Sequence, residues 1–185
     1  VAKLSATKGN SARGNEGVVV GQSRVGDSAT FMCTATAGEA AHIRVVDTSG
    51  SSSFYPSVWL YNPDGTLNRV DSSQTTVATD GYSGASYCRL NQTGTYRLVV
   101  ADYNDTNTGS YEIRLATVLQ SNENGALVND GVVIGDISVG DIDTFLFTAT
   151  AGEAAHIRVV DTSGSSSFYP SVWLYNPDGT LNRVD

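Results

Sequence analysis

The chain holds two histidines, His42 and His156, and both fall at the same place in a repeated block. Each copy therefore has one imidazole to offer as a general base. His42 alternates with Ile43, which places it on the solvent side of a strand and reads as a surface histidine. The serine run Ser49–Ser53 is loop material rather than a nucleophile elbow, and no glycine-rich phosphate loop occurs. With no nucleophile beside a base, no turnover chemistry is expected.

Oxygen ligands are better represented. Asp102, Asn104, Asp105 and Asn107 crowd one short loop, and hard cations such as Ca²⁺ take such oxygens. The spacing is not that of an EF-hand, and Asx-rich turns also form without metal through side-chain to backbone hydrogen bonds. Ca²⁺ is the candidate cofactor here, with Asp141 and Asp143 as a second, weaker pair. Asn91 and Asn104 each begin an Asn-X-Thr pattern and are candidate glycosylation sites.

Two cysteines remain. Cys33 shares a strand face with Phe31, and its counterpart 114 positions later is Phe147, so the position faces a core. Cys88 lies in a strand-like run. A Cys33–Cys88 disulfide would close a loop worth about 4 kcal/mol in the chain-entropy model, and two separate buried thiols are the alternative. The aromatic pair Trp59 and Tyr61, repeated as Trp173 and Tyr175, alternates with Val58 and Leu60. If the aliphatic residues face inward, the rings face outward. There they would meet a covering loop, a neighbouring module or a sugar.

The elements that must carry these residues are short strands. Gly17–Gly21, Ala29–Ala35, His42–Val46, Val58–Tyr61, Tyr87–Leu90, Thr95–Ala101 and Ser110–Ala116 each give an apolar run or a two-residue alternation. Asn62-Pro63-Asp64-Gly65 is a strong turn signal. Ser72–Ser86 reads as a long surface connection with one short strand near Val77. Seven or eight short strands at regular spacing predict an all-β protein, an antiparallel jelly-roll-like β-sandwich.

Thr34–Asp71 returns unchanged as Thr148–Asp185, and the flank Val1–Cys33 aligns without a gap to Leu115–Phe147 at the same offset of 114. That is the mark of a tandem array. The expected organisation is the end of a preceding strand plus a linker over 1–16, a complete module over 17–118, a linker over 119–130, and the first half of a second module over 131–185. A half sandwich exposes apolar faces and unpaired edges. Completion by another copy is therefore expected, with Val1–Leu4 of that copy adding a strand, or by division of one continuous polymer.

The net charge is −8, from 11 Lys and Arg against 19 Asp and Glu. This argues against nucleic acid and anionic membranes as partners. No run is apolar enough to span a membrane, and no signal peptide is visible.

Val139–Gly152, Leu60–Leu67, Thr93–Val100 and Gly109–Ile113 together resemble bacterial pre-peptidase C-terminal domains, over about Gly17 to Ala116. Module one departs at Ser28-Ala29, where the second copy has the family-like Ile142-Asp143. The resemblance implies a jelly-roll-like sandwich appended to secreted proteins, non-catalytic, serving secretion, matrix binding or assembly.

The expected function is thus a structural subunit of an extracellular filament, matrix fibre or adhesin stalk, at the cell surface or beyond it. Copies of the chain would be its partners, joined head to tail, with strand complementation as a route. The alternative is a polysaccharide- or matrix-binding accessory module of a secreted hydrolase.

Overall fold

The alternating runs fold as strands of two packed antiparallel sheets. The computed structural model describes residues 4–6, 11–12, 18–71, 76–78, 88–119, 126–138 and 140–184. Its strands are β1 (Leu4–Ala6), β2 (Ser11–Ala12), β3 (Val19–Ser23), β4 (Ser28–Ala35), β5 (Glu39–Asp47), β6 (Pro56–Tyr61) and β7 (Leu67–Asp71). There follow β8 (Thr76–Ala78), β9 (Cys88–Leu90), β10 (Gly94–Asp102), β11 (Gly109–Thr117), β12 (Trp173–Tyr175) and β13 (Leu181–Val184). No helix occurs among the described residues.

Sheet one runs β1-β4-β10-β6-β7 and sheet two β2-β3-β11-β5-β8, with β9 also pairing β5. Every pairing is antiparallel. Phe31, Val58, Leu60 and Leu98 from sheet one meet Val19, Ile43, Tyr111 and Ile113 from sheet two, all at 2% exposure or less. Phe54, in the β5–β6 connection, stacks on Tyr111 with ring centroids 6.4 Å apart. The all-β sandwich expected from periodicity is the observed fold, and the two-residue period decides which side of each strand enters it.

Two strands lie where no periodic signal stands. β2 falls within the segment read as a linker. β1 pairs β4 within the chain, Leu4 opposite Cys33. Both belong to the sheets of the first module.

The second copy departs from expectation. Its counterparts of β4 and β5 are not strands, and residues 126–172 carry none among those described. The cause lies in the pairing. In module one, β4 is held between β1 and β10, and β5 between β11 on one edge and β8 and β9 on the other. Those partners, β1 apart, lie in the second half of the module, which these 185 residues hold once. Without a ladder to join, even the unchanged sequence of β5 stays irregular in the second copy.

One element forms in both copies. The hairpin β6–β7 recurs as β12–β13, because its pairing is local and its turn builds itself. Asn62 N–H donates to the Thr66 carbonyl at 2.8 Å, and Thr66 N–H and Oγ1–H both donate to Asp64 Oδ1. Asn176, Asp178 and Thr180 repeat these bonds. Gly65 and Gly179 supply the left-handed backbone, φ 86° and 78°.

Candidate functional site

β5 contributes Ile43 and Val45 to the core, so His42, Arg44 and Val46 stand on the opposite, outer face of sheet two. That face is not open. Ala40 is 0%, His42 3% and Val46 5% exposed. The second copy covers it.

Tyr175 Oη lies 2.7 Å from His42 Nε2. The Tyr175 ring meets the imidazole edge-on at 5.7 Å, and Trp173 tilts over it at 5.9 Å. Both aromatic residues project from one side of β12, as their two-residue spacing requires. Around them, Gly179 is buried, its missing side chain facing the Gly38 carbonyl and Ala40 Cβ, and Gly140 is set against Val46. A Cβ on Gly140 would fall 2.4 Å from Val46 Cγ2. The equivalent Gly65 and Gly26 in module one have nothing within 4 Å of that position.

Charge closes the edge of the contact. Arg114 bridges Glu112, through Nε to Oε1 at 2.7 Å, and Asp141, through Nη1 to Oδ1 at 2.7 Å. Arg44 Nη1 donates to the Asp141 carbonyl at 2.7 Å. At the hairpin tip, hydrogen bonds from Thr180 hold the Asp178 carboxyl below its ordinary range, and the positive charge of Arg89 acts the same way.

The residues singled out from sequence take up contrasting positions. His42, read as a surface histidine, is buried between the copies, while His156 is exposed. Outward-facing Trp59 and Tyr61 are half-buried on the outer face of sheet one, flanked by Val99 and Val70 and by Arg97 and Leu67 in the ladder. Asp141, a candidate cation ligand with Asp143, is instead the ion-pair partner of Arg114.

The loop 102–107 is organised by its own carboxylate. Asp102 is 2% exposed. Its Oδ2 accepts from the backbone N–H groups of Thr106 and Asn107, each at 3.0 Å, and from Asn107 Nδ2 at 3.2 Å. Its Oδ1 accepts from Tyr55 N–H at 3.2 Å. Burial alone would raise this carboxyl, but the donors outweigh it and hold it below the usual range. Four N–H groups aimed at one carboxylate present positive charge where a cation would sit. Asn104 and Asp105 point into solvent from the turn. The residues do not fit a Ca²⁺ site, and among the described residues no cluster of three His, Cys, Asp or Glu could hold a metal.

Cys33 is buried at 2% exposure and is a free thiol, so the expected bridge to Cys88 is not formed. The side chain of Cys88 lies outside the described residues. Burial, with the negative charge of Glu39 adding to it, pushes the Cys33 thiol up to about 11. Asn91 and Asn104 are both exposed, as a glycan acceptor must be.

Sequence reasoning missed the face around His42, although β5 carries a signal. Ala40-Ala41 and Val45-Val46 put apolar residues on both sides of the strand, the mark of a strand covered twice.

No family model matches this chain, and no curated protein does. Among solved structures it is similar to PliG of Aeromonas hydrophila, a periplasmic inhibitor of g-type lysozyme. The identity is 14%, the TM-score 0.39, and the match covers 54% of this chain and 83% of that one. An arabinose-bound GH51 α-L-arabinofuranosidase, MgGH51, is similar at 15% identity and TM-score 0.32, over 63% of this chain and 22% of the other.

Proposed function

We propose that this chain is a non-catalytic structural repeat of an extracellular or cell-surface array, in which successive copies of one β-sandwich module rest on each other. The observation that carries this reading is the Trp173–Tyr175 pair of one copy seated on His42 of the other, with a 2.7 Å hydrogen bond between them. A repeat interface made from residues of the repeat itself serves at every junction of an array. The resemblance to pre-peptidase C-terminal domains and the net charge of −8 support a secreted address.

Polysaccharide binding is the competing reading. Trp59 and Tyr61 support it, standing side by side on the outer face of sheet one with exposed Leu67 and Val70 nearby. Negative-stain microscopy of the native material, alongside pull-down on insoluble polysaccharides, separates the two. Fibres with a regular axial repeat and no polysaccharide retention are expected. Dispersed particles retained by polysaccharide and released by Trp59→Ala would replace the array with a binding module.

A further inference from the structure

The two halves of the contact are built by one short block of sequence, and module one presents them on opposite faces. His42 stands on the outer face of sheet two, on β5. Trp59 and Tyr61, the counterparts of Trp173 and Tyr175, stand on the outer face of sheet one, on β6. Acceptor and donor both lie within the 38 residues Thr34–Asp71 that recur without change as Thr148–Asp185.

We infer that the outer face of sheet one, centred on Trp59 and Tyr61, is a docking surface whose occupant is the His42-type face of another copy of this module. The inference rests on the array reading and gives it a geometry: sandwiches stacked face to face, sheet one of each on sheet two of its neighbour. Because donor and acceptor patches differ and lie on opposite faces, the contact is heterologous, and it propagates instead of closing into a dimer.

Three observations support this occupant. The hairpin that carries the donor has the same turn and pairing in both copies. Gly65, at the tip of the undocked hairpin, is exposed with nothing within 4 Å of its Cβ position, whereas the docked Gly179 is buried against Gly38 and Ala40. Trp59 and Tyr61 make no ring contact or side-chain hydrogen bond among the described residues. Of identical local sequence, Trp173 makes a ring contact with His42, and Tyr175 makes both a ring contact and a hydrogen bond with it.

Within this chain the His42 face is already filled by the chain's own second copy. Removing that internal donor should open the face to Trp59 and Tyr61 of a different chain, so a loss of aromatic surface should create association. The test uses the full chain and its two histidines. Diethylpyrocarbonate acylates accessible imidazole, and tryptic fragments carrying His42 and His156 differ in mass because their N-terminal flanks differ.

In the unaltered chain His156 should react freely. His42 should react at roughly one-tenth of that rate or less, the factor that about 1.4 kcal/mol of opening free energy gives. In the double variant Trp173→Ala, Tyr175→Ala, His42 should become as reactive as His156 in dilute solution. The same variant should sediment as growing oligomers as concentration rises. Adding Trp59→Ala and Tyr61→Ala should return it to monomer, with His42 reactive throughout. Tyr175→Phe, which keeps the ring and removes only the hydrogen bond, should unmask His42 partially.

Continued protection of His42 in the double variant would overturn the contact. A reactive His42 in a variant that stays monomeric at every concentration would overturn the use of Trp59 and Tyr61 as donor. Failure of the array reading shows elsewhere, as an absence of fibres in native material, and leaves these reactivities unchanged.

Discussion

Replacing Asp102 by asparagine exchanges one buried oxygen for an amide nitrogen and removes a charge, while the shape stays the same. The remaining oxygen can face the three donors from Thr106 and Asn107. The new NH₂ then faces Tyr55 N–H, 3.2 Å from the lost Oδ1, and that donor loses its acceptor in a region 2% exposed. An orphaned buried donor costs about 1–3 kcal/mol, and the other bonds drop from charge-assisted to neutral strength. A loss of about 3 kcal/mol is expected at pH 7, read as a lower urea midpoint with unchanged slope. The pH dependence has a definite sign. The folded carboxyl is depressed, so its contribution is present above the unfolded value of about 3.9 and is lost as pH falls through the folded value. The gap between the two proteins should therefore narrow below about pH 4. Calcium should move neither midpoint, because ligand binding to the native state alone would stabilise it by mass action. A variant within about 0.5 kcal/mol of the parent, or a midpoint raised by calcium in the parent only, would refute the reading of this loop as a self-contained Asx structure.

Three further outcomes follow from the core. Gly109→Ala would place a methyl 2.3 Å from the ring of Phe54, which is fully buried on Tyr111, so a loss of about 1–3 kcal/mol or more is expected in thermal unfolding. Tyr96→Phe removes a hydroxyl that accepts from Gln92 N–H and donates to the Gln92 carbonyl, each at 2.9 Å, and should cost about 1–2 kcal/mol by urea titration. Cys33 should resist alkylation near pH 8 in the folded protein and react on unfolding. Its folded value is raised, so its contribution is complete below the ordinary thiol range and declines as pH rises toward about 11. Rapid labelling of native Cys33 would contradict its burial.

How much was legible in the chain can be judged strand by strand. β4, β6, β10 and β11 were readable because each alternates core residues such as Phe31, Leu60, Leu98 and Ile113 with less buried neighbours on the other face. β7 carries Leu67-Asn68-Arg69-Val70-Asp71, polar enough to read as connection, and exists because the Asn62–Thr66 turn returns it to β6. β1 and β2 are set by the edges they join rather than by their own residues. The second copy makes the same point with sequence held constant. Periodicity at His156–Val160 equals that at His42–Val46, yet only His42–Val46 has β11 to pair with. Of the site, the outward turn of Trp59 and Tyr61 followed from alternation. The burial of His42 did not, since what covers it comes from 131 and 133 positions further along the chain.

The central claim is that copies of this module stack through unlike faces. Cryo-electron microscopy of the native assembly, at a resolution that separates strands, tests it directly. The account predicts sheet one of each module lying on sheet two of the next, with the Trp59–Tyr61 ridge over the His42 position at every junction. Modules meeting through like faces, or tethered end to end with that histidine open to solvent, would contradict it.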